Sequence, residues 1–459
     1  MRIFQKDGCL RQDVDPADVF YMRTLLFACK KYRSDCTPQK VYETIAEYYD
    51  VDTSLPPPTH FWDGDGSDLI GDELGHLSDL SLEPTDLFAS NGDQDGTLLD
   101  RVQHVADRVS LLLGEYVPSE AAFRHGPGAV ADLRTGAGYK YQFPSWSPRL
   151  QFVFPADVFA TANGRNQGSE WDESAGLPLK EVASRLITVP KTQKGPRLIA
   201  AEPTCHQWCQ QSVRDFLSDR IRATVIGRSI DFGRQDLSGD LALSASLKGD
   251  LATVDLSAAS DRLSCWLVQR IFRKNIPLLS AMIACRTRYV SNEIDVKSPT
   301  LHKLRKFSSM GSALTFPVQS LVFYVICVAA GLSLKGPKAN ADSDWQECAR
   351  QVRVYGDDLI VPVEWMPRVE YLLARFFLKV NRTKTFSVGN FRESCGTDAF
   401  RGVNVSPGQC LEFYVESKPS SLLSAVEVSN NLFKKGLWHA SASMLSAIPE
   451  SIDKLIDRV

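Results

Sequence analysis

Asp357 and Asp358 stand side by side in Arg353-Val-Tyr-Gly-Asp-Asp-Leu-Ile-Val-Pro362. Val352, Val354, Leu359, Ile360 and Val361 suit a strand entering and leaving a turn, and Gly356 supplies the backbone freedom a tight hairpin needs. The pattern predicts a hairpin with both carboxylates at an exposed tip. Carboxylates held this close repel each other, and a hard cation with oxygen ligands is the usual remedy. About a hundred residues upstream, Asp255 ends the strand-like Ala252-Thr-Val-Asp255, and a helical pattern follows from Ala258. Such a strand end is a usual place for a site in a mixed sheet. Three carboxylates can share two magnesium ions roughly 3.5–4 Å apart. One ion would acidify an attacking hydroxyl, and the other would stabilise a leaving pyrophosphate. The plain alternatives are a surface hairpin and, for Asp255, a helix N-cap.

Further motifs lie around these in a fixed order. Val189-Pro-Lys-Thr-Gln-Lys-Gly-Pro-Arg-Leu-Ile199 precedes Asp255-Leu-Ser-Ala-Ala-Ser-Asp261. Phe307-Ser-Ser-Met-Gly-Ser-Ala-Leu-Thr-Phe316, Tyr355-Gly-Asp-Asp358 and Asn381-Arg-Thr-Lys-Thr-Phe386 follow. The series resembles the catalytic (beta) subunit of the RNA-dependent RNA polymerase, or replicase, of single-stranded RNA bacteriophages, the levivirus group. In that comparison the five segments are similar to the basic finger motif F, motifs A, B and C, and the stretch after motif C. His125-Gly-Pro-Gly128 resembles a family turn, and Asn430-Asn-Leu-Phe433 with Trp438 resembles its C-terminal helix. The resemblance runs from about residue 120 to 440.

The resemblance implies an α+β right-hand polymerase whose antiparallel palm sheet carries the Gly-Asp-Asp hairpin. It divides the chain into an N-terminal region (1–114), fingers (115–240), palm (241–400) and thumb (401–459). Asp255, Asp357 and Asp358 would hold two Mg²⁺ ions, with Mn²⁺ able to substitute. Lys384 would donate a proton to pyrophosphate. Lys191, Lys194 and Arg197, with Asp261 and Gln319, would bind the incoming nucleotide, the three cations offsetting phosphate charge. Ser308, Ser309, Gly311 and Ser312 are small enough to let template backbone approach. Many RNA polymerases have a second motif A aspartate where this chain has Ser260, and an asparagine where it has Gln319. The ribose-sensing pair is therefore unassigned. Implied partners are single-stranded RNA template and product, ribonucleoside triphosphates, host elongation factors Tu and Ts and a small-subunit ribosomal protein, in the cytoplasm of an infected bacterium and without a membrane. A reverse transcriptase and a catalytically silent RNA-binding subunit are the rival readings.

Composition agrees with a large multi-lobed enzyme: 459 residues exceed one hydrophobic core. The formal charge of −3 hides an asymmetry. Residues 41–100 hold 15 acids and no Lys or Arg; the other 399 carry all 52 basic residues and 40 acids, a net of +12. That segment is expected on an outer face, away from RNA, with Phe61, Trp62, Leu69 and Ile70 favouring a docked basic partner over a solvated loop. Eleven widely spaced cysteines without a Cys-x-x-Cys pair read as free thiols. Cys205-His206 with Cys209 lacks a fourth ligand at zinc spacing. Arg2, Gln5, Lys6 and Asp7 interrupt any signal-peptide core, and Leu321–Leu332 reads as a buried helix. Helices are expected over 17–50, 99–114, 204–222, 263–274, 312–331 and 366–377, and strands over 185–190, 197–201, 251–255, 352–355, 359–363 and 411–415. The chain stops soon after Trp438, so a reduced thumb or an incomplete sequence is expected.

Overall fold

A computed structural model of the chain describes residues 3–8, 10, 11, 13–33, 35–79, 92–133, 140–160, 177–192, 195–336 and 341–454. Its strands, in chain order, are β1 (Ser184–Thr192), β2 (Gly195–Ala201), β3 (Leu251–Ser257), β4 (Tyr289–Ser291), β5 (Leu301–Lys303), β6 (Arg353–Tyr355), β7 (Asp358–Pro362), β8 (Lys379–Val380), β9 (Phe391–Ser394), β10 (Thr397–Phe400) and β11 (Val403–Asn404). They form three sheets, ordered β6-β7-β3-β8, β2-β1-β4-β5 and β11-β10-β9. The first is antiparallel throughout. With helices grouped around sheets that are antiparallel except at the parallel pair β1–β4, the architecture is α+β, as expected.

The first sheet is covered by helices Asp236–Lys248 and Thr315–Leu334. That explains why Leu359-Ile-Val-Pro362 is buried without alternation. In helix Thr315–Leu334, 17 of 20 residues are buried. A helix apolar on every side belongs in a core or a membrane. Its length and hydropathy would allow either, but helices Gly92–Leu112, Asp342–Arg350 and Met366–Arg375 enclose it. It is the centre of the largest apolar cluster, as the run Leu321–Leu332 predicted.

Three expectations need correction. The helical stretch 17–50 is two helices, Pro16–Phe27 and Pro38–Thr53. Asp15 and Thr37 cap them, and Pro38 cannot continue a helix because it has no N–H to donate. Residues 411–415 form no strand; Val415 N instead donates to Ser421 Oγ at 2.8 Å, capping the turn before helix Ser420–Lys434. Phe61 and Trp62 are not a docking surface: they are 2% and 0% exposed and belong to the main core. Trp62 Nε1 donates to Gln269 Oε1 at 3.0 Å, and Leu74 and Leu77 are buried beside it. Several acids of this segment, such as Asp50, Asp68 and Asp72, are exposed, while Asp52 is buried; residues 80–91 lie outside the described residues.

Candidate active site

The hairpin β6–β7 pairs Tyr355 with Asp358, so its tip is the two residues Gly356 and Asp357. Gly356 has φ +63°, and a Cβ there would stand 2.5 Å from the Phe316 ring. Only glycine meets both demands. Its N–H donates to Ser320 Oγ at 3.2 Å, fixing the turn to the buried helix. β3 runs antiparallel to β7 with Asp255 opposite Asp358. Directly paired residues point to one face with Cβ atoms about 5 Å apart. Two carboxylates distant in sequence are thereby neighbours, and Asp357 follows at the tip.

Asp255 is the most constrained of the three. Asn381 Nδ2 donates to its Oδ2 at 2.7 Å, and Asn381 N to its carbonyl at 2.8 Å. Lys384 Nζ lies 3.4 Å from Oδ1 and 3.7 Å from Glu393 Oε1. Burial pushes the Asp357 and Asp358 carboxyls above their ordinary range, and neighbouring carboxylates push the same way. Asp358 rises to about 6, from burial first and then from Asp357. Burial alone would lower the Lys384 ammonium, but Asp255 and Glu393 outweigh it and hold its pKa up. Three oxygen donors that repel one another fit hard divalent cations. As placed, no three acid, His or Cys side chains among the described residues close around a single point, and the Asp255 oxygens contact Lys384 and Asn381.

These groups line an open cleft of about 1210 Å³. Lys191 and Arg197, from the hairpin β1–β2, face the carboxylates across it. Burial, then Arg197 and Lys384, lower the Lys191 pKa. Lys194 lies outside the described residues. Gln319 also lines the cleft, and its buried Oε1 has no hydrogen-bond partner. Met310, Gly311 and Ser312 form another part of the wall. Gly311 has φ +123°, and a Cβ there would meet Ala200 O at 2.0 Å, so the loop lies directly on β2. Ser308 and Ser309 stand behind that wall. Their side chains bond to Thr315 Oγ1 and Tyr48 OH at 2.8 and 2.6 Å. Asp261 is likewise not among the cleft-lining residues: it pairs with the buried Lys306 at 3.0 Å.

A family model described as RNA replicase, beta-chain matches residues 88–445. The chain belongs to that family. The RNA-directed RNA polymerase beta chain of Escherichia phage MS2 is 30% identical over 375 residues, covering 80% of this chain and 61% of that protein. The RNA-directed RNA polymerase subunit beta of Escherichia virus Qbeta is 32% identical over 356 residues, covering 74% and 54%. The chain therefore spans little more than half the length of these replicase relatives. The RNA-dependent RNA polymerase of a human picorbirnavirus, a solved structure, aligns with TM-score 0.46 at 11% identity over 97% of this chain and 84% of that one.

The replicase match starts at residue 88, yet residues before it line the cleft. Arg23, Phe27, Lys30 and Lys31 stand on its wall with Gln409, Asn431 and Lys435 from the C-terminal part. Arg23 pairs with Asp398. Cys410 N donates to Ala28 O and Arg33 N to Leu411 O, each at 2.8 Å. Sequence reasoning missed this wall. Its one signal was the pair Lys30-Lys31 in a stretch without a motif.

Proposed function

We propose that this chain is an RNA-directed RNA polymerase that copies single-stranded phage RNA from ribonucleoside triphosphates. The observation that carries the reading is the register of Asp255 against Asp358, with Lys191 and Arg197 across the same cleft. Asp255, Asp357 and Asp358 would hold divalent metal, Mg²⁺ or Mn²⁺. When bound, such ions supply Lewis-acid activation of a 3′-hydroxyl and neutralise the leaving pyrophosphate. The protein groups do the rest. Lys191 and Arg197 bind triphosphate oxygens and hold the α-phosphate in line with the attacking hydroxyl. Asn381 orients Asp255. Lys384, kept protonated by Asp255 and Glu393, carries the proton that pyrophosphate takes up on leaving.

In this reading β1–β2 and neighbouring residues of 115–240 are fingers, 241–400 the palm and 401–459 the thumb. Gly311 and Ser312 touch template directly, while Ser308 and Ser309 support them from behind. Gln319 meets the nucleotide, and Asp261 acts through Lys306 rather than by contact. The working place is an infected bacterial cell. Elongation factors Tu and Ts and a ribosomal protein as co-subunits rest on the family resemblance alone. The test is purified protein with an RNA template, supplied with ribo- or deoxyribonucleotides. Templated incorporation of ribonucleotides is expected. Incorporation of deoxyribonucleotides alone would make it a reverse transcriptase, and RNA binding without incorporation would make it a silent subunit.

A further inference from the structure

Behind the cleft lies a buried polar cluster whose members do not line it. Lys306 is 0% exposed. Its Nζ lies 3.0 Å from Asp261 Oδ1 and 3.2 Å from the centre of the Tyr48 ring. Burial opposes its charge, but Asp261, Tyr48 and Asp52 outweigh burial. Tyr48 OH and Ser309 Oγ are 2.6 Å apart. Asp52, also 0% exposed, accepts from the N–H of Lys306 at 2.9 Å, the N–H of Arg305 at 3.0 Å and His302 Nε2 at 2.8 Å. Tyr48 and Asp52 both belong to helix Pro38–Thr53, outside the replicase match. Phe307 N donates to Leu263 O at 2.6 Å, so the same cluster ties residues 305–309 to the turn that follows Asp255.

We infer that Tyr48 is a positioning residue for the loop Ser308–Ser312, holding it through Ser309 on one side and through the Lys306–Asp261 pair on the other. The inference rests on the polymerase reading for its kinetic consequence, though not for its structural one. The Tyr48 hydroxyl fixes the Ser309 side chain, while the Ser309 carbonyl accepts from Thr315 Oγ1 at 2.8 Å. The backbone that continues into Met310, Gly311 and Ser312 is therefore anchored at its entrance. The ring of Tyr48 faces the Lys306 ammonium, a cation–π contact in a desolvated site. An N-terminal helix thus fixes the back of a wall whose front would meet template.

Lys306→Met would leave Asp261 without its cation and risks unfolding. Tyr48→Phe is the deciding variant, because it keeps the ring under the ammonium and removes one hydroxyl. Two readouts follow. Amide exchange of residues 307–312 should accelerate on the order of 3- to 10-fold, with β3 and β7 unchanged. The KM for template RNA should rise by a similar factor, while kcat stays within about twofold. Tyr48→Phe combined with Ser309→Ala should be no worse than the more affected single variant. Unchanged exchange at 307–312 would overturn the inference. So would a loss confined to kcat with a lowered Tm, which marks an ordinary packing residue. If the wild-type protein incorporates no nucleotide, the polymerase reading fails, and the exchange measurement still decides what Tyr48 does.

Discussion

Asp357 is the residue on which the proposed chemistry turns. Asp357→Asn removes a charge while preserving shape, so folding and RNA binding should survive. Nucleotide incorporation should fall by roughly 100-fold or more. Incorporation at the wild-type rate would remove this carboxylate from the metal site. Asp358→Asn is expected to be milder. The aspartates were legible in sequence because a glycine turn and a strand end are local signals. What closes around them was less so. Glu393 and Asn431 face the cleft, but nothing local in the chain shows that Glu393 reaches Lys384, 3.7 Å away, or that Asn431 stands on the same wall. Away from the cleft, Glu202 is buried and accepts from Gln210 Nε2 at 3.2 Å and from Thr287 Oγ1. Burial raises its pKa from 4.5 to about 7. The folded state therefore binds this proton more tightly than the unfolded chain. Its contribution to stability is fully present below pH 4.5 and is lost as pH rises through 7. The loss is about 3 kcal/mol at most. Glu202→Gln should flatten that decline, read as urea midpoints between pH 5 and 8. An unchanged slope would assign the ionisation to another group.

At the scale of elements, the hairpin β1–β2 presents Lys191 and Arg197 from opposite strands. Replacing both with alanine should raise the KM for nucleoside triphosphate by about tenfold or more and change RNA affinity far less. The reverse pattern in a filter-binding and steady-state comparison would place them in the RNA channel. Most elements were legible from periodicity: the helix expected over 204–222 is Thr204–Ala223, and the strand over 251–255 is Leu251–Ser257. The failures have physical causes. The cap and proline at Thr37-Pro38 divided a region whose apolar pattern runs on. Residues 411–415 have strand-like composition but no partner strand to complete a ladder. Phe61 and Trp62 sit among acids in sequence, and local composition cannot show that Gln269 waits beneath them. Ser308, Ser309 and Asp261 are a different case: motif position selected them, and the tertiary structure adds that their side chains bond to Thr315, Tyr48 and Lys306.

The molecule as a whole separates its charge. The 15 acids of 41–100 are segregated in sequence from a remainder carrying +12, and in the fold Asp63 and Asp79 pair with Lys303 and Arg270 of that remainder. The cleft wall adds Lys30, Lys31 and Lys435 to the hairpin's cations. If this wall holds a single-stranded template, each neutralised phosphate contributes about −0.7 to the slope of log affinity against log salt. Lys30→Ala with Lys31→Ala should reduce the magnitude of that slope by about 1.4. An unchanged slope would put the template elsewhere. The α+β class and the catalytic sheet could be read from sequence because their strands carry motifs. The closing wall could not, since it joins residues nearly 400 positions apart.

That junction has a consequence in time. Thr24 Oγ1 accepts from Gly408 N at 3.1 Å, and the two residues are separated by 384 positions. Thr24 leaves the ribosome 384 residues ahead of the Gly408 backbone that it bonds. At about 5–20 residues per second, it waits roughly 20 to 80 s on the ribosome. Throughout that interval the cleft wall that the two segments form together is incomplete.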